Sequence, residues 1–213
     1  MKSLEAYKKE LVNICRMLYD KNLVSAADGN ISVKIGENRI LTTPTKVNKG
    51  YLTEDMLVVV DNEGKVVEGT HKCSSEIKLH LNIYAEREDI NAVIHTHPPF
   101  ATAFALAHEP IKESYLVETL VILKNITSAP YGTPSTDEVP ESIANVVKNS
   151  EAILMENHGV ITYGKDLFDA FNKMEALENV AKTIIFSKLL GGPKEIPQER
   201  IDYLKQVLKE KGR

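Results

Sequence analysis

Three histidines and one glutamate are the side chains in this sequence best placed to do chemistry. His95 and His97 flank Thr96 at the end of the apolar run Asn91-Ala92-Val93-Ile94. Residues two apart along a strand share a face, so a strand that holds through His97 aims both imidazoles the same way. Pro98 and Pro99 then stop the ladder and can open a helix. Two co-facing imidazoles at a strand end suit a divalent metal, and alone they suit two hydrogen-bonded histidines as well. His158 follows a second apolar run, Ala152-Ile153-Leu154-Met155, and precedes Gly159. A third imidazole completes a set that leaves coordination positions open to substrate, the pattern of a catalytic zinc site. Glu76 stands after Ser74-Ser75 at an expected helix start. It can complement the helix dipole, ligate the metal as a fourth group, or serve as a mobile acid/base. His71, His80 and His108 fall in a loop, on a helix face and near a helix end, and read as non-ligands.

Three short polar turns accompany these residues: Asp28-Gly29-Asn30, Thr43-Pro44-Thr45-Lys46 and Ser74-Ser75. Each adjoins a strand or helix end. Backbone N–H groups, hydroxyls and a helix N-terminus are what a phosphate dianion needs. Any one of them is ordinary turn chemistry or capping. Three beside a candidate metal site favour a small phosphorylated ligand.

The elements that must position these groups follow from periodicity. Ser3 can cap a helix to about Asp20 with a stripe of Leu4, Tyr7, Leu11, Ile14 and Leu18. Ile31 to Ile35 alternates as a strand, Gly36-Glu37-Asn38 turns, and Arg39 to Thr43 returns. Met56 to Val60 and Lys65 to Val67 form a second hairpin. Ser74-Ser75-Glu76 opens a helix with Ile77, Leu81 and Tyr84 inward. A helix from Pro98 or Pro99 to about Ala107 follows the histidine strand. Residues 115–127 are apolar and β-branched and predict a strand. Glu138 to Asn149 predicts a helix, Ala152 to Met155 a strand, and Val160 to Tyr163 its continuation or partner. Asp166 caps a long helix that Gly191-Gly192-Pro193 ends, and a last amphipathic helix carries Ile201, Leu204, Val207 and Leu208. Hairpins mixed with helices predict an α/β fold: one domain over 1–213, with a mostly antiparallel central sheet flanked by helices.

Bulk properties narrow the classes further. The 213 residues are 43% hydrophobic and 26% charged, which argues against disorder, and the formal charge of -4 argues against a general nucleic-acid binder. Cys15 and Cys73 have no metal-type spacing and no disulfide framework around them. A reducing, cytoplasmic interior is the expected compartment. No apolar run reaches 18 residues and no signal-peptide core follows Met1. HExxH, the mark of a zinc hydrolase, is absent.

The ordered set Gly29-Asn30-Ile31-Ser32, Thr43-Pro44-Thr45, Ser74-Ser75-Glu76, His95-Thr96-His97, Ala129-Pro130-Tyr131-Gly132-Thr133 and Asn157-His158-Gly159-Val160 resembles the class II sugar-phosphate aldolase and epimerase family, from about residue 4 to 190. The resemblance implies zinc, or another divalent ion, on His95, His97 and His158. Glu76 would be a ligand at rest and the acid/base in turnover. It implies phosphate contacts at Gly29, Asn30, Thr45, Ser74 and Ser75. It also implies a catalytic tyrosine at Tyr115, supplied by a neighbouring subunit of a homotetramer. Lys46 stands where the aldolases usually have glycine, and it offers a charge to the phosphate. Ala27 replaces a common threonine, Thr96 the asparagine of some relatives, and Leu208 to Arg213 hold no tyrosine.

The implied chemistry is metal-dependent, reversible retro-aldol cleavage of a ketose 1-phosphate to dihydroxyacetone phosphate and an aldehyde, without a lysine Schiff base. A pentulose-5-phosphate 4-epimerase and a methylthioribulose-phosphate dehydratase are enzymatic rivals. The epimerases carry an aspartate where this chain offers only Glu113 and Glu118. A non-catalytic interaction module of the same fold would be expected to have lost metal ligands, and all of them are present here. No nucleic acid or membrane partner is expected.

Overall fold

A computed structural model describes residues 2–211. Met1, Gly212 and Arg213, the outermost residues of the expected 1–213 domain, lie outside the described residues. Helix α1 (Leu4–Asp20) starts where Ser3 Oγ accepts the Ala6 N–H, and it buries Leu11, Ile14, Cys15 and Leu18. A meander follows: β1 (Asn30–Gly36), β2 (Arg39–Thr42), β3 (Val58–Val60) and β4 (Val66–Glu68). Then come α2 (Ile77–Glu86), β5 (Ala92–Thr96), α3 (Pro99–Ala107), β6 (Ile126–Ala129), α4 (Glu138–Ala144), β7 (Ala152–Met155), β8 (Gly159–Gly164), α5 (Leu167–Leu189) and α6 (Gln198–Glu210).

The eight strands form one sheet in the order β4-β3-β2-β1-β5-β8-β7-β6. Every pairing is antiparallel except β6 with β7. This is the expected α/β architecture with a mostly antiparallel sheet. Each face carries its own apolar cluster. Ala92 and Ile94 of β5 pack with α1, α3 and α5 on one side, and Val93 packs with α2 and α4 on the other. Both faces of β5 are therefore covered, and all five of its residues are buried.

Three local expectations are corrected. Residues 115–127 are not a strand. Glu113–Tyr115 is a 3₁₀ turn and Thr119–Leu123 a π-helical turn, with only Ile126 onward extended. Leu120 and Leu123 are buried at helical spacing, and Thr119 Oγ1 donates back to the carbonyls of Glu113 and Leu116, which closes the turn. The helix expected over 138–149 stops at Ala144, with a 3₁₀ turn at Val147–Asn149. Met56, the expected start of β3, instead ends a 3₁₀ turn over Glu54–Met56, and the strand begins at Val58.

Candidate active site

The site forms where β1, β5 and β8 meet the start of α2. Antiparallel register sets Asn30 opposite His95, and Thr96 opposite Val160. β5 ends at Thr96, one residue short of the expected strand, yet the two imidazoles still converge, with His95 Nε2 and His97 Nε2 3.2 Å apart. His158 enters from the tight turn between β7 and β8, and the donor atoms of the three histidines lie within 4.8 Å of one another. Glycine is required beside them. A Cβ on Gly159 would meet His97 Cδ2 at 2.3 Å and the Thr96 carbonyl at 2.8 Å.

The donor set fits a divalent ion. Two ligands about 2.0–2.1 Å from a tetrahedral ion lie roughly 3.3 Å apart, close to the His95–His97 separation. His95 Nδ1 is 3.0 Å from the Val160 carbonyl, an acceptor only, so Nδ1 carries the proton and Nε2 presents its lone pair to the site. Asp28 Oδ2 lies 3.8 Å from His97 Nδ1 on the outer side of that ring. Burial lowers the pKa of both His95 and His97, which keeps them in the neutral, ligating form.

Glu76 sits just before α2 rather than in its first turn, and its side chain caps nothing. The carboxylate instead reaches the histidines. Oε1 is 3.2 Å from His158 Nε2 and Oε2 is 3.7 Å from His95 Nε2, while Asn30 Nδ2 donates to Oε2 at 2.7 Å. Burial by itself would raise this carboxyl, but the hydrogen bond from His158, the electrostatic attraction of the His95 and His158 rings and the Asn30 donor outweigh it and lower its pKa.

The three polar turns come together beside this cluster. Thr45 N–H donates to the Lys72 carbonyl, and Pro44 bridges to Cys73, which ties the second turn to the third. Lys49, fully buried, donates to the carbonyls of Ala27 and Val47 and ties the second turn to the first. Gly29 is left-handed (φ 69°), and a Cβ there would stand 2.8 Å from the His95 carbonyl, so the first turn can press against the histidine strand only as glycine. The result is a cavity of about 340 Å³ lined by Gly29, Asn30, Thr45, Lys46, Ser74 and Ser75 together with Glu76, His97 and His158. His95 is fully buried behind that lining, 3.2 Å from His97 and 3.7 Å from the Glu76 carboxylate. A larger surface cleft, about 1100 Å³, lies elsewhere, and its Lys173 is already paired with Glu151 and Asp169.

Two residues stand apart from the cavity lining. Tyr115 is not at the cavity; it is half-buried in its 3₁₀ turn, with the Lys112 ammonium over its ring. His80 does not ligate, as expected, but it is fully buried and bonded to Asn30, a role missed from sequence. The signal was available, because Ile77, His80 and Tyr84 form one helical stripe on α2. Asp28 and Ser135, whose Oγ is 2.8 Å from that of Ser75, also went unassigned.

Comparison with known proteins gives consistent matches. The profile described as "Class II Aldolase and Adducin N-terminal domain" matches residues 9–185. The L-fuculose phosphate aldolase of Methanocaldococcus jannaschii is 39% identical over 183 residues, 86% of this chain and 98% of that protein. The 3-oxo-tetronate 4-phosphate decarboxylase of Haemophilus influenzae is 32% identical over 194 residues, 87% and 89% of the two chains. A solved structure titled L-fuculose 1-phosphate aldolase superposes with a TM-score of 0.88 at 32% identity, covering 98% of each chain.

Proposed function

The chain belongs to the class II aldolase and adducin N-terminal domain family, and from that premise we propose that it is a metal-dependent aldehyde-lyase. The reaction is the reversible cleavage of L-fuculose 1-phosphate, or a related ketose 1-phosphate, to dihydroxyacetone phosphate and L-lactaldehyde. The observation that carries this reading is the meeting of one carboxylate and three anion-type turns with a cluster of three imidazoles, two of which line the same cavity.

His95, His97 and His158, with Glu76 as a displaceable fourth group, would hold one zinc ion or another divalent ion per subunit. When bound, that ion supplies a Lewis acid for the negative charge that develops on the ketose oxygens. The remaining work falls to the chain itself. The Ser74 and Ser75 hydroxyls, Thr45, the Lys46 ammonium and the polar turn at Gly29 and Asn30 bind the phosphate and fix the carbon chain against the histidines. Cleavage breaks the C3–C4 bond. The C4 hydroxyl gives up its proton as C4 becomes the aldehyde carbon, and the electron pair passes to C3. Glu76 delivers a proton to C3, and removes it in the synthetic direction. Tyr115, brought by a neighbouring copy in a homotetramer, exchanges the proton at the C4 oxygen. That arrangement accounts for a tyrosine outside the cavity of its own chain. We assign a single catalytic domain over 1–213 and a cytoplasmic location; no helix among the described residues is long and apolar enough to cross a membrane.

Metal-loaded protein incubated with a panel of phosphorylated sugars decides between the family's chemistries. Dihydroxyacetone phosphate released from L-fuculose 1-phosphate, and lost with chelator, is the expected result. Exchange of L-ribulose 5-phosphate with its C4 epimer, or carbon dioxide released from a 3-oxo sugar-acid phosphate, with no cleavage of any ketose phosphate, would overturn it.

A further inference from the structure

Glu76 is reached from the protein interior by a chain of buried side chains whose hydrogen-bond directions are all determined. Ionised Glu76 only accepts, so the Asn30 group facing Oε2 is the amide nitrogen, and Asn30 Oδ1 points the other way, to His80 Nε2. An amide oxygen only accepts, so His80 Nε2 carries the hydrogen. Burial holds the His80 pKa down to about 4, so the ring is neutral and its Nδ1 must accept. Nδ1 lies 2.6 Å from Ser32 Oγ, which therefore donates to it, and Ser32 Oγ in turn accepts from the Tyr84 hydroxyl at 2.8 Å. Asn30, Ser32 and His80 are all at least 97% buried, and the second contact of the Asn30 amide nitrogen, Ser74 Oγ at 3.4 Å, also takes it as donor.

We propose that His80 is a positioning residue for Glu76, acting through Asn30. The inference rests on the acid/base role assigned to Glu76 above. His80 holds the Asn30 amide in the one orientation that puts N–H, not C=O, against the carboxylate. Oε2 is then kept as an acceptor through the catalytic cycle, and the proton that Glu76 carries to C3 resides on Oε1, the oxygen facing His158. Without the His80 donor the amide is free to turn, and its oxygen would repel the carboxylate from the histidine cluster. Ser32 and Tyr84 serve the same end by fixing the His80 tautomer.

Two measurements on the full chain test this. Long-range ¹⁵N–¹H spectra of the metal-free protein report the tautomer of His80, assigned by its loss in His80→Gln. The Nε2–H form is expected, and an Nδ1–H form overturns the proposal whether or not the protein is an aldolase. The second is the exchange of C3 protons of dihydroxyacetone phosphate in deuterium oxide. His80→Leu should lower its kcat about 10- to 100-fold, with KM and bound metal little changed. His80→Gln, whose amide offers the same acceptor and donor in order, should restore most of the rate. A Leu variant with wild-type exchange, or a Gln variant as slow as Leu, refutes the role. If Leu does not fold, the tautomer and the Gln rate still decide. Wild-type protein that exchanges no protons refutes the proposed function and leaves the tautomer to decide the hydrogen-bond directions alone.

Discussion

Lys46 adopts a left-handed backbone (φ 59°) that L-residues occupy at a cost of about 1–2 kcal/mol. A glycine would sit there without strain, which is the physical content of the difference from the aldolases noted in the sequence. Lys46 lines the cavity, so the strain is the cost of keeping a charge there, where the proposed phosphate contact would use it. Lys46→Gly should leave the melting temperature unchanged or higher while KM for a ketose 1-phosphate rises about 2- to 5-fold, and the difference should shrink as salt screens the exposed ammonium. Steady-state kinetics at two ionic strengths read both effects. His80 carries the opposite kind of signature. Its folded pKa of about 4 lies below the ordinary 6.5, so the unfolded chain binds the extra proton more readily. Its contribution to stability is fully present above about pH 6.5 and is lost as pH falls through 4, up to roughly 3 kcal/mol. Thermal melts between pH 4 and 7 should therefore fall more steeply for wild type than for His80→Gln. These two residues also mark the limits of reading side chains from sequence. The groups that face the cavity lie at chain turns, where residue type and neighbours are unusual. His80 looked ordinary because its partners, Ser32 and Asn30, are more than 40 positions away.

At the level of elements, the histidine strand is held by its neighbours rather than by its own length. β5 stops at Thr96, and the His97 ring is placed by the start of β8, where Gly159 leaves room for it. Gly159→Ala should keep the fold but displace that ring, with metal affinity falling about 10- to 100-fold in a chelator competition; unchanged affinity would show that the close approach is not what sets the ligand. Hairpins, capped helices and the His95 strand were legible because their signals are local: alternation, Ser3 and Asp166 caps, proline stops. Residues 115–127 were not, because Val117, Thr119, Val121 and Ile122 fit a strand by composition. Packing of the Thr119–Leu123 turn against α5 and α6, with Leu120 and Leu123 buried, decided otherwise, and that is a tertiary fact.

At the level of the whole molecule, the cavity of one chain lacks the tyrosine assigned to the reaction, while Val117 and Ile122 leave apolar surface exposed near the Tyr115 turn. A site completed by a second copy makes a sharp prediction. Glu76→Gln and Tyr115→Phe should each be inactive, yet their mixture, unfolded and reassembled together, should regain activity in about a quarter of the sites of a symmetric oligomer. Aldolase assays on the mixture check this, and a mixture as inactive as its components would place both residues in the same chain's site.

The register that sets Thr96 opposite Val160 also orders events in time. His95 and His158 are separated by a long stretch of sequence, and they meet only after β5 and β8 have zipped. Closing so long a loop is slow and comes late. No fragment ending before His158 carries all three histidines, and until β8 pairs with β5 they are not held together, so an incoming ion has little to grip on a nascent or half-folded chain. Metal capture thus reports that the central sheet has paired correctly. A copy with slipped register would remain metal-free, and the ion would distinguish finished molecules from unfinished ones.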